Sequence, residues 1–479
     1  MRVAIVGAGF GGIGAAAHLR RAGVRDITVL ERGERVGGVW NHNTYPGAAC
    51  DVPSHLYSFS FARNPAWGRR FAEQPEIQRY VEDTARREGV LDSVRLNTEV
   101  HSAAWDGDAA VWRIETDGGT VEAEVMVAAC GQLSRPAIPE LNGLEDFAGP
   151  AFHSADWRHD VDLSGKRVGV IGTGASAIQF VPAIQPHVAS LTVIQRSPPW
   201  ILPKLDRAYL PRHRSLFERV PAVQLAGRFG WWAMLEAAIA GFVGHERAMR
   251  PAAAAARWHL RRQVPDAVLR EKLTPHYRMG CKRILLSSDW YPALSSPGVE
   301  VVTSGVARVT PDGIELDDGT TRELDVLIFG TGFKARTFVA PMDIRGRDQT
   351  LEQAWSGLPH AWHGISVPGF PNAFLVYGPN TFGGSGSAIY MLESQMRHIT
   401  SAVQRLRSSG ARTIEVRPEA HDEFIGELRA RQADTVWATG GCSSWYVDDQ
   451  GRDPTNWPGY TLEYRRRVTR ADPSVYALA

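Results

Sequence analysis

Two glycine loops 165 positions apart constrain this chain more than any other feature. Gly7, Gly9 and Gly12 follow the β-branched run RVAIV; Gly172, Gly174 and Ala177 follow KRVGVI. Behind each loop comes a helical stretch and then a second strand, DITVLE and SLTVIQ. Where a strand runs through a tight turn into a helix start, unpaired backbone N–H groups face outward and suit a phosphate. In the first loop, Gly7 makes the turn, Gly9 lets backbone approach a pyrophosphate, and Gly12 lets helix and strand pack closely. Two such units imply an α/β chain with parallel sheets, built as two Rossmann-like domains.

The residue closing each second strand separates the two units. Glu31 stands 24 positions after Gly7, where a carboxylate meets ribose hydroxyls. Arg196 stands 24 positions after Gly172. A guanidinium there chelates a 2′-phosphate that a carboxylate would repel, so the second unit prefers NADPH to NADH. Thr173, Ala175 and Ser176 complete that loop and Ser197 adds a hydroxyl. Bulk properties narrow the rest. The chain has 479 residues, enough for two or three packing units. Its 53 basic and 52 acidic residues recommend no nucleic acid or acidic surface as partner. Cys50, Cys130, Cys281 and Cys442 lie far apart, with neither a C-x-x-C pair nor a disulfide-like framework. That spacing suits a reducing cytoplasm, and MRVAIVGAGF enters a strand without room for a signal peptide. No metal-ligand spacing stands out.

Between the loops, residues 147–157 read FAGPAFHSADW, placing Phe147, Gly149, His153 and Trp157 in a linker that can sense both nucleotides. This spacing resembles the fingerprint of type I Baeyer–Villiger monooxygenases. The stretch 37–51, with Gly38, Trp40, Tyr45, Pro46, Gly47 and Asp51, resembles a second motif of that family. The resemblance implies FAD in the first unit, held by Gly7, Gly9, Gly12, Glu31, Gly38, Val39, Trp40, Asp51, Tyr57 and Val100. It implies NADPH in the second, with Lys282 on its phosphate, Arg283 projecting over the flavin, and Trp445 packing on the nicotinamide cofactor. It implies that NADPH and O2 generate a peroxyflavin that attacks a ketone, giving an ester or lactone. Arg283 and Asp51 are then the catalytic pair, because a C4a-peroxyflavin must stay deprotonated and arginine supplies a permanent cation. Ala49 and Arg158 depart from the family's usual residues.

The resemblance also sets domain boundaries. Residues 1–140 and 333–479 form a discontinuous FAD-binding domain ending in a mobile loop; 141–158 is the linker. Residues 159–204 and 273–332 form the NADP-binding domain, with a helical insertion at 205–272. A helix is expected over 76–88, strands over 101–106 and 110–116, and one further strand over 121–131. The apolar stretch 220–244 contains Arg228 and Glu236, which argues against a membrane span and for a buried or substrate-lining helix pair over a peripheral membrane contact. The rival readings are a monooxygenase oxidising nitrogen or sulfur, and a non-catalytic FAD/NADPH sensor. A dithiol reductase is disfavoured because Cys50 stands alone after the first helix. The sequence does not decide between a monomer and a dimer.

Overall fold

Parallel strands buried on both faces need continuous apolar runs, and two five-stranded sheets take them. The computed structural model describes residues 1–479. In the first sheet the spatial order is 373–375, 125–128, 2–6, 26–30 and 94–95, all parallel. In the second it is 299–302, 190–194, 167–171, 326–329 and 151–153, again all parallel. Helix α1 (Phe10–Arg21) joins strands 2–6 and 26–30 of one sheet, and α2 (Ala177–Ile184) joins 167–171 and 190–194 of the other. Both glycine loops therefore sit at the carboxyl ends of central strands, where open α/β sheets bind ligands.

The first sheet is completed by Ala373–Leu375, which pairs with Val125–Ala128 after the chain has built the whole second sheet. The expected strand over 121–131 is two strands. Gly119–Ala123 belongs to a mixed sheet, antiparallel through 111–116 to 100–106 with 343–345 parallel to the latter, while Val125–Ala128 enters the first parallel sheet. The chain crosses from one sheet to the next at Glu124, where the alternating VEAE passes into the apolar VMVA with no glycine or proline between them. The expected helix over 76–88 spans Gln74–Arg87.

The insertion contains α3 (Pro211–Arg219) and α4 (Pro221–Ala238), followed by Arg250–Gln263 and Ala267–Lys272. Of the buried or substrate-lining helix pair expected over 220–244, α4 is not the buried kind, since only Gln224 is fully buried, but Trp231, Met234 and Leu235 line a cavity. Trp231, Trp232 and Leu235 are partly buried against the main core, whereas Val223, Leu225, Phe229 and Met234 are exposed. No helix is long and apolar enough to cross a membrane. Helix α5 (Ala388–Ser409) returns along α1, with Met396 filling the space beside Gly14. The cysteines also correct the sequence reading: Cys281 and Cys442 form a disulfide across 161 positions. Their spacing is uninformative because the long return of the chain, not a local motif, brings them together. Cys50 and Cys130 are free thiols.

Candidate active site

The two loops have the same construction. Gly7 N donates to Leu30 O at 2.7 Å, and Gly172 N donates to Ile194 O at 3.0 Å. Both glycines have positive φ, +100° and +110°, and a Cβ on either would collide with the carbonyl of Ala129 or Gly330. Gly12 faces inward, where an added Cβ would stand 1.8 Å from Gly7 O. Gly12 and Ala177 thus shape their loops from beneath, while Gly7, Gly9, Gly172, Thr173, Gly174, Ala175 and Ser176 line the cavity above.

That cavity is continuous from one loop to the other and encloses about 1560 Å3. Single-ligand pockets of roughly 300–1,000 Å3 are smaller, so there is space for more than one large ligand. Glu31 lines it and is buried; its carboxylate accepts from Ala8 N at 2.7 Å and Gly33 N at 2.8 Å. The carboxylate braces the turn and keeps lone pairs for ribose hydroxyls. Gly38, Val39, Trp40, Asp51, Tyr57 and Val100 also line the cavity, and Trp40 Nε1 donates to Tyr57 OH at 3.1 Å. Gln132, which sequence reasoning passed over, is buried at the wall with its Nε2 unpartnered. A buried donor facing a cavity calls for an acceptor in it.

Around the second loop, Arg196 is exposed at the cavity edge. Lys282 Nζ donates to Ser197 Oγ at 2.5 Å. Partial burial and the Arg196 charge hold the Lys282 ammonium below its ordinary pKa. These three groups converge as a phosphate cradle would require. Between the loops stands the charge pair. Arg283 donates from Nη2 to Asp51 Oδ2 at 2.6 Å and from Nε to the same oxygen at 3.1 Å. Burial alone would push the Asp51 carboxyl up, but the charge and hydrogen bonds of Arg283 hold it below the usual carboxylate value. Asp51 in turn raises the Arg283 guanidinium against its own burial. The two side chains keep 26% and 32% of their surface accessible, and both line the cavity. The pair therefore presents a fixed positive group inside a cavity with mostly apolar walls.

Phe382 and Gln179 escaped the sequence reading. The Arg283 guanidinium lies 5.6 Å from the centre of the Phe382 ring, and Trp445 meets the same ring edge-on at 5.6 Å. Gln179, on α2, donates to Ala49 O at 2.9 Å and accepts from Tyr45 OH at 3.0 Å. It ties the segment carrying Asp51 to the second loop's helix. Burial pushes the Tyr45 hydroxyl up to about 12, so it remains a donor. A glutamine in an ordinary helix carries no signal of this role; only the facing segment reveals it. Phe147, Gly149, His153 and Trp157 of the linker do not reach the cavity. Phe147 packs in the core beside the second sheet, and a Cβ on Gly149 would strike Asp325 O. His153 is buried at the end of an edge strand, and Trp157 packs on Phe152 and Phe180. From the linker, Leu141, Ala155 and Asp156 touch the cavity instead.

The family described as pyridine nucleotide-disulphide oxidoreductase matches residues 4–210. A Baeyer–Villiger monooxygenase of Streptomyces coelicolor is 46% identical over 99% of this chain and 92% of its own length. Among solved structures, oxidized steroid monooxygenase bound to NADP superposes with a TM-score of 0.88 at 30% identity, covering 100% of this chain and 99% of that one. OTEMO in complex with FAD and NADP superposes with a TM-score of 0.87 at 27% identity, with the same coverage.

Proposed function

The chain belongs to the Baeyer–Villiger monooxygenase family, and from that premise we propose that it uses FAD, NADPH and O2 to convert an apolar ketone into an ester or lactone. The observation that carries this reading is the Asp51–Arg283 pair, set between two glycine loops that open onto one cavity. The residues fit the two cofactors. Gly7, Gly9, Glu31, Gly38, Trp40 and Tyr57 would hold FAD, with the free Gln132 amide as a further donor. The second loop with Arg196, Ser197 and Lys282 would hold NADPH. When bound, FAD reduced by NADPH supplies the activated oxygen inserted beside the carbonyl.

The chain's own groups account for position and charge. Arg283 keeps its proton at any working pH and offers several N–H donors to negative charge developing on the reacting oxygens. Asp51 fixes the guanidinium's direction, and Phe382 limits its swing. Gln179 and Tyr45 hold the Asp51 segment in register with the NADPH loop. Trp231, Met234 and Leu235 of α4 line the same cavity, which supports an apolar substrate and the exclusion of water. The hydride donor supports a cytoplasmic place of work. The cysteine spacing no longer does, although Cys281 is fully buried and so shielded from cellular thiols.

The test is aerobic incubation with NADPH, FAD and a panel of cyclic, linear and aryl ketones plus one thioether, under isotopically labelled O2. A lactone or ester carrying one labelled oxygen is expected. Sulfoxide with no ester from any ketone would overturn the reading in favour of a heteroatom oxygenase.

A further inference from the structure

Helix α4 is built inside out. Its three strongly polar residues all turn toward the protein. Gln224 is buried, donating to Asn64 O at 2.7 Å and accepting from Arg63 Nη1 at 3.1 Å. Arg228 Nη1 donates to His55 O at 2.6 Å and Ser58 O at 2.9 Å. Glu236 accepts from Leu462 N at 2.9 Å. The outward face holds Val223, Leu225, Phe229 and Met234, with only alanine and glycine between them. Phe229 is 64% exposed and Met234 52%. Surface helices normally carry the opposite polarity, and an apolar patch rimmed by polar groups marks an interaction site. Nothing internal demands the flatness of this face, since a Cβ on Gly227 or Gly230 would meet open space.

The rim is cationic. Arg212, Arg214 and Arg219 on α3 and Arg207 before it are exposed and enter no ion pair. Asp206 is already held by Arg69, and Glu218 is the one acid on α3. Leu210, Leu216 and Val220 extend the apolar surface between these arginines. The patch also contains the cavity's mouth, because Leu205 and Met234 are both exposed and cavity-lining.

We propose that this face seats the protein on an anionic lipid surface, with α4 lying in the interface and the arginines on the headgroups. A basic rim beside an apolar helix face is what binds in the plane of a bilayer. The same surface on a second copy fits less well. Paired with itself, it would bring the same four arginines to both sides of one contact and cover Leu205 and Met234. The lipid contact goes beyond the proposed reaction and does not depend on it; the reaction only supplies a reason, since an apolar ketone dissolved in lipid would meet the mouth directly.

Flotation of the FAD-loaded full-length protein with phosphatidylcholine vesicles, with and without phosphatidylglycerol, tests this. The wild type is expected to float with the anionic vesicles and to be released by salt, with at least roughly tenfold weaker binding to neutral ones. The double variant Leu225→Glu/Phe229→Glu should lose flotation while keeping its flavin content and its NADPH oxidation in solution. Leu225→Ser/Phe229→Ser serves if the charged variant does not fold, and Arg212→Glu/Arg214→Glu should abolish the anionic preference alone. No flotation by the wild type, or equal flotation by all variants, overturns the proposal. So does a dimer, seen by light scattering, that the Leu225/Phe229 substitutions dissociate.

Discussion

At the scale of single residues the site is a division of charges, and each has its own test. Arg283→Ala should still bind FAD and accept hydride from NADPH, while ester formation falls by roughly 100-fold or more, the usual loss when a positioned donor to a developing anion is removed. Rapid-mixing reduction read beside product analysis separates the two, and undiminished ester would remove Arg283 from the reaction. Arg196→Ala should raise the KM for NADPH by roughly tenfold or more, in line with a lost charged hydrogen bond, and leave NADH nearly unchanged. Lys282 adds a pH dependence. Its folded pKa is depressed, so its ammonium loses the proton at a lower pH than free lysine. NADPH affinity should therefore weaken as pH rises, beginning below the ordinary lysine value, and Lys282→Arg should flatten that rise in KM. Glu31 and Arg196 were legible as candidates because each stands 24 positions after a glycine turn, and Arg283 because its segment resembles a family motif. Gln179 and Phe382 were not, because their partners come from remote segments, and Gln132 was not, because no local pattern marks a buried amide left free at a cavity wall.

Among elements, the glycine loops show two different uses of a missing side chain. A Cβ on Gly12 would meet the Gly7 carbonyl, which the turn holds in place, so Gly12→Ala must shift backbone. The expected cost is about 1–3 kcal/mol, typical of overpacking, seen as a lowered Tm and less flavin absorbance per protein. At Gly174 the nearest atom to an added Cβ is Gly330 O at 3.7 Å, an ordinary contact. Gly174→Ala should keep its Tm and its flavin but raise the KM for NADPH, because the obstructed approach is the cofactor's. Equal losses of stability in both variants would refute this distinction. The strands and helices around these loops were legible, since parallel strands are continuous apolar runs between glycine turns. The boundary at Glu124 was not, because the alternating VEAE runs into the apolar VMVA with no turn residue to separate them. Nor was the exposure of α4, since composition alone does not tell a buried apolar helix from one whose polar residues point inward.

Across the whole molecule, coupling between the two glycine units depends on connections made late in the chain. The return strand at 373–375 closes the first sheet, and the Cys281–Cys442 bond then fastens the C-terminal loop beside Lys282 and Arg283. In the loop-closure picture, a crosslink spanning 161 positions removes unfolded-chain entropy worth about 5 kcal/mol. Its functional consequence is local, because Trp445 follows Cys442 by three positions and packs on Phe382, the ring beneath Arg283. Releasing the bond frees the loop's attachment at the residue next to Lys282. Cys442→Ser should then raise the KM for NADPH and, by admitting water, increase the peroxide released per NADPH consumed. Arg283 itself remains paired to Asp51, so the rate of flavin reduction at saturating NADPH should change little. Wild type treated with a dithiol reductant should reproduce the variant, and the reductant should do nothing further to Cys442→Ser. If the reduced wild type, with both thiols titrated, keeps its KM and its ratio of ester to peroxide, the loop is held by its packing on Phe382 and the disulfide contributes stability alone.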